Sequence, residues 1–171
     1  MTTTGHPETT ITADPALPTI RIVREFDHPV SRVFRAYTDR DLFARWIGPR
    51  SLTTEIEEWD CTTGGRYRYL NRADGQEYRF FGSFHEVRPD ERIVQTFTFE
   101  GFPDGVSLET GTFEDLGDGR TRLTLLSVVD TMEARDAMLA SGMQTGVVEG
   151  FEKLDELLGR DEGGPGTASI R

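Results

Sequence analysis

Cysteine is nearly absent: Cys61 stands alone, which excludes an internal disulfide and any thiolate cluster. Lysine is equally scarce, with Lys153 the only one and arginine supplying the remaining bases. Lys153 follows Glu152, so the Gly-Lys-Ser/Thr of a phosphate-binding loop is missing. The three histidines, at 6, 28 and 85, are too scattered for a His-x-x-x-His zinc helix. Neither a Gly-x-Ser-x-Gly elbow nor a Gly-x-Gly-x-x-Gly fingerprint occurs. No apolar run approaches the roughly eighteen residues of a spanning helix, and residues 1–12 lack the basic and apolar regions of a signal peptide. The expectation is therefore a cytoplasmic protein with no membrane span, no metal and no cofactor.

Thirty acidic residues face nineteen basic ones in 171, a net charge of −11 that repels polyphosphate and argues against nucleic acid as a partner. Eleven Phe, four Tyr and two Trp are enough bulky material for one packed core. Residues 1–18 and 160–171 are Thr-, Pro- and Gly-rich and are expected as disordered tails, which leaves 19–159 as one domain.

Within that domain the hydrophobic period changes twice. Residues 19–27 alternate as a strand; Val30, Val33, Phe34 and Tyr37 then follow helical spacing behind Pro29. Thr38 and Asp41 have capping-box spacing for a second short helix through Leu42, Phe43 and Trp46, which Gly48-Pro49 stops. Six strands are expected next, over 52–59, 66–72, 78–87, 92–100, 106–116 and 121–129, with Asp74-Gly75 and Asp118-Gly119 as hairpin turns. A short helix over 131–140 precedes a longer one, whose capping box is read at Ser141 and Gln144. Met143, Val147, Phe151, Leu154 and Leu158 form its apolar stripe, with a Glu149–Lys153 pair on the wet side. An antiparallel sheet of this length needs a cover, and the last helix is the only element long enough, so the fold class is α+β with the sheet curved around that helix.

Several runs in this order resemble a known superfamily. Phe26–Asp39 (FDHPVSRVFRAYTD), Ala44–Pro49 (ARWIGP), Gly64–Tyr69 (GGRYRY), Gly82–Val87 (GSFHEV), Glu91–Val94 (ERIV) and Gly150–Leu158 (GFEKLDELL) are similar to the SRPBCC superfamily. More narrowly they resemble the branch related to the C-terminal domain of the activator of the heat-shock-protein-90 ATPase. The resemblance implies the START-like, Bet v 1-like helix-grip fold, a curved antiparallel sheet gripping a C-terminal helix around an apolar cavity. It implies a small, mainly hydrophobic ligand, and the lack of a recognisable nucleophile or metal set points to binding without chemistry. Its other implications are a polyketide cyclase/dehydratase-like enzyme, or a co-chaperone-like module with a chaperone as partner. The expected assembly is a monomer or weak homodimer.

Candidate site residues carry paired readings. Trp46 is either a helix-end anchor or a lining residue at the pocket mouth. Gly146 and Gly150 each cost a helix about 1 kcal/mol relative to alanine, so one helix face must leave space, for close packing or for a ligand. Met143, Val147 and Phe151 beside them are expected to form the cavity wall. Tyr67, Tyr69, Tyr78, Phe84 and Phe97 are core fillers or pocket lining, the tyrosines giving a few polar ends. His85 and Glu109 are acid/base candidates if they face inward and surface residues otherwise. Arg66, Arg68 and Arg79 are expected to form a solvated stripe with Glu55, Glu57 and Glu58, and Cys61 to be a plain thiol.

Overall fold

A computed structural model describes residues 9–163. The chain runs β1 (Thr10–Ala13), β2 (Thr19–Phe26), α1 (Val30–Thr38), α2 (Arg40–Trp46), β3 (Thr53–Trp59), β4 (Arg66–Ala73), β5 (Gln76–Arg88), β6 (Arg92–Phe99), β7 (Ser107–Gly117), β8 (Arg120–Val128), α3 (Met132–Ala140) and α4 (Met143–Gly163). The eight strands make one curved antiparallel sheet in the order β1-β2-β8-β7-β6-β5-β4-β3. The α1–α2 pair carries the chain from β2 to the far edge strand β3, and α4 covers the concave face. This is the helix-grip arrangement expected from the sequence.

Hairpin chemistry sets the meander. Asp74 and Gly75 have φ of 51° and 78°, and Asp118 and Gly119 have 56° and 72°. Successive positive φ values match the twist of the flanking strands, which is why Asp-Gly was legible as a turn. Asp39 caps α2, its side chain accepting from the Asp41 and Leu42 amides at 2.9 and 3.0 Å. The expected Thr38–Asp41 box is thus displaced by one residue. Ser141 does not open α4 either: it closes α3, its hydroxyl donating to the Met138 carbonyl at 2.6 Å, and Gly142 at φ 85° separates the helices.

Part of each expected tail is regular structure. Thr10–Ala13 pairs antiparallel with β2, from Thr10↔Val23 to Ala13↔Ile20, and Ile11 packs against the core. The β1–β2 turn is tied by the Asp14 carboxylate, which accepts from the Ala16 and Leu17 amides. Buried Arg135 of α3 also donates to the carbonyls of Asp14 and Leu17. At the other end α4 continues to Gly163. The tail assignments for residues 1–8 and 164–171 lie outside the described residues.

The core is densest where the C-terminal half of α4 meets α1, α2 and β2. Phe26, Val33, Trp46, Phe151, Leu154 and Leu158 are all buried there. Phe26 meets Phe151 edge-on at 5.7 Å, and Trp46 stacks on Phe151 at 6.3 Å.

Candidate functional site

Strand parity decides what faces α4. On β7 the inward residues are Ser107, Glu109, Gly111 and Phe113; across the ladders Glu109 sits between Gln95 of β6 and Ser127 of β8. Tyr67 and Tyr69 of β4, Phe80 and Phe84 of β5, and Phe97 of β6 complete this floor. Tyr37 of α1 reaches over it, edge-on to Phe113 at 5.4 Å and tilted against Trp46 at 4.7 Å.

Burial along this floor is uneven. Phe151, Leu154, Leu157 and Leu158 in the second half of α4 are sealed, whereas Met143 and Val147 in the first half are only half-buried. On α1 and the sheet, Tyr37, Phe80, Phe97, Glu109 and Leu125 also point inward and keep accessible surface. Inward side chains that keep part of their surface are less tightly enclosed than Ile20, Phe26 and Leu123, which are sealed.

The sequence candidates divide accordingly. Met143, Val147 and Phe97 point inward and are partly buried. Tyr67, Tyr69 and Phe84 are largely buried in the floor, with Tyr67 stacked on Tyr69 at 6.1 Å and tilted on Phe84 at 5.1 Å. Phe151 belongs to the sealed end. Trp46 is core rather than mouth: it is 2% exposed, and its indole Nε1 donates to the Ala36 carbonyl at 2.9 Å. Tyr78 lies away from the floor's centre beside the β4–β5 hairpin, its hydroxyl donating to Gln76 Oε1 at 2.5 Å. Gly146 and Gly150 lie against a neighbouring turn. A Cβ at Gly146 meets Pro49 Cδ at 3.5 Å and one at Gly150 meets the Trp46 carbonyl oxygen at 3.3 Å, so both face the turn after α2.

His85 is exposed beside the β5–β6 bulge and drops out as an interior acid or base. Glu109 is the reverse case, inward where a surface position was the alternative. Its Oε1 accepts from Ser107 Oγ at 3.0 Å and its Oε2 from Ser127 Oγ at 2.6 Å. Burial raises its pKa above the ordinary carboxylate range, opposed by the serine bonds, Ser127 first. Burial likewise raises the Tyr37, Tyr67 and Tyr69 phenols, with the Glu109 charge adding to each. Among the described residues no group of three or more His, Cys, Asp or Glu is placed to hold a metal.

The raised carboxyl has a sign that can be measured. The folded state holds the Glu109 proton at pH values where the unfolded chain, near 4.5, has lost it. Stability therefore falls as pH rises from the unfolded value through the folded one, then levels. Glu109→Gln removes that titration. Its stability relative to the parent is expected to climb over the same window in urea unfolding between pH 4 and 8, and a pH-independent difference between the two proteins refutes this.

Sequence reasoning missed Tyr37, Gln95, Ser107, Leu125 and Ser127. Alternation around Phe113 and Leu123 was the available signal, since stepping by two from either reaches Glu109 and Ser107 or Leu125 and Ser127. Gly82 was another. A Cβ there meets the Thr96 carbonyl oxygen and Tyr67 Oη, so glycine lets the phenol donate to that carbonyl at 2.6 Å.

The convex face is an ion-pair lattice. Arg66 pairs with Glu58 at 2.5 Å, Arg68 with Glu100 at 2.7 Å, Arg72 with Glu55 at 2.5 Å and Arg79 with Glu57 at 3.2 Å. These arginines have carboxylates already, as a solvated stripe requires, with Glu100 rather than a β3 carboxylate serving Arg68. Burial, and secondarily Asp60, pushes the Cys61 thiol up to about 12, so it is unreactive at neutral pH.

A family model described as Activator of Hsp90 ATPase homolog 1-like protein matches residues 27–159. No curated protein matches the chain. Among solved structures, a Chromobacterium violaceum protein is 30% identical, with 82% of this chain and 96% of that one covered and a TM-score of 0.73. A Mycobacterium smegmatis protein is 26% identical over 96% of this chain and 100% of its own, with a TM-score of 0.80. An Arthrobacter aurescens protein is 26% identical over 95% and 98%, with a TM-score of 0.81. No helix among the described residues is long and apolar enough to cross a membrane.

Proposed function

The chain belongs to the activator of Hsp90 ATPase homolog 1-like family, and from that premise we propose that it binds a small, mainly hydrophobic molecule between the sheet and the first half of α4, without chemical conversion. One observation carries this reading: the two halves of α4 are buried to different extents. From Phe151 onward the apolar stripe is sealed, while Met143 and Val147 keep part of their surface, as do Phe97 and Leu125 on the inward face of the sheet. An apolar wall with few polar groups set into it is the usual composition of a small-molecule site. Met143 and Met138 add side chains that adapt to irregular apolar shapes.

Native mass spectrometry of freshly purified protein, followed by organic extraction, tests the proposal. The expected result is a stoichiometric small molecule, or uptake of an added aromatic hydrocarbon at one equivalent. A protein that carries none and takes up none refutes it.

A further inference from the structure

The polar groups on the cleft floor differ in how fully they are bonded. Tyr67 Oη donates to the Thr96 carbonyl and accepts from Gln95 Nε2 at 3.0 Å. Glu109 has one serine hydroxyl on each oxygen, which leaves each oxygen capacity for a further donor. Tyr37 and Tyr69 are different. Their rings are wedged by Trp46 and Phe113, and by Phe43 and Phe80, yet neither phenol makes a hydrogen bond among the described residues. Tyr37 keeps part of its surface, and Tyr69 is 5% exposed. An inward hydroxyl without a partner is costly, and two of them within the influence of the Glu109 carboxyl need an explanation.

We infer that the ligand is an apolar molecule ending in an uncharged hydroxyl, received by Tyr37, Tyr69 and Glu109 at the cleft floor. This rests on the cleft reading proposed above and names the class of molecule it takes. A hydroxyl is the group that both gives and takes: it donates to a Glu109 oxygen and accepts from a phenol. A ligand carboxylate or phosphate has no proton to donate there, and its charge is desolvated beside an acidic side chain. An ammonium donates but accepts nothing, so it leaves both phenol protons without an acceptor. The apolar remainder of the ligand lies along Phe97, Leu125, Met143 and Val147.

Titration calorimetry with three probes of one skeleton tests this: naphthalene, 2-naphthol and 2-naphthoate at pH 7, where the phenol is neutral and the acid is charged. The expected order is 2-naphthol about tenfold tighter than naphthalene, the gain of one well-made hydrogen bond, with 2-naphthoate weakest. Tyr37→Phe and Tyr69→Phe keep the rings, so naphthalene affinity is the internal control for folding. The double variant is expected to remove most of the preference for 2-naphthol over naphthalene. Naphthalene binding with no preference for naphthol, or with the preference intact in the double variant, overturns the hydroxyl assignment and leaves the cleft standing. Tightest binding of 2-naphthoate overturns it too. Failure of all three probes overturns the cleft reading itself.

Discussion

Phe151→Ala is expected to destabilise the protein by about 3–5 kcal/mol, whereas Met143→Ala and Val147→Ala cost about 1 kcal/mol or less. All three lie on the stripe that α4 turns toward the sheet, so the contrast isolates packing from position. Phe151 is 3% exposed between Phe26 and Trp46, and truncating it opens a void that neither neighbour can fill. Trp46 is fixed by its indole bond to Ala36, and Phe26 is locked in the β2–β8 ladder opposite Thr121. Met143 and Val147 lose less because part of their surface is already open, so truncation removes fewer contacts and adds to existing space. Urea midpoints at constant m-value read the difference directly. Equal losses at all three positions show that α4 is packed along its whole length, and the cleft reading falls with them.

The same division explains how much was legible beforehand. Strands, hairpins and the final helix follow from period and turn chemistry: Asp74-Gly75 and Asp118-Gly119 announce their turns, and the stripe from Met143 to Leu158 announces its face. Their family-like order extends that to the helix-grip topology. β1 was hidden because Thr10–Ala13 is only four residues long and sits among Pro and Thr, and its pairing with β2 is a tertiary event. Cap positions slipped because Asp39 and Thr38 are both competent caps, and the local backbone chose between them.

The site was harder to read for a physical reason. A carboxylate on a strand reads as solvent-facing, and only the register of three strands shows Glu109 held between Ser107 and Ser127. The glycines of α4 were noticed for their cost, but cost alone does not say which neighbour needs the space.

That neighbour is the turn after α2, and it predicts opposite outcomes four residues apart. Gly146→Ala is expected to stabilise the protein by up to about 1 kcal/mol, the helix-propensity gain. The added methyl meets Pro49 Cδ at 3.5 Å, which is ordinary contact. Gly150→Leu is expected to cost about 3 kcal/mol or more, because overpacking is worst where backbone must yield. A Cβ there already lies 3.3 Å from the Trp46 carbonyl oxygen and 3.6 Å from Gly48 N, and a leucine extends further. That backbone has little freedom to retreat. Gly48 is held at φ 83°, Arg50 N donates to Glu149 Oε1 at 2.9 Å, and Lys153 Nζ donates to the Ile47 carbonyl at 3.4 Å. Glu149 and Lys153, expected to pair with each other, each grip this turn instead. Urea unfolding of the two variants, with naphthalene titrated into whichever folds, separates the readings. A Gly150→Leu protein that folds normally and merely loses naphthalene makes Gly150 a space-giver for ligand. Loss of folding there, with Gly146→Ala more stable and still binding, makes the pair a docking seam for Trp46–Pro49.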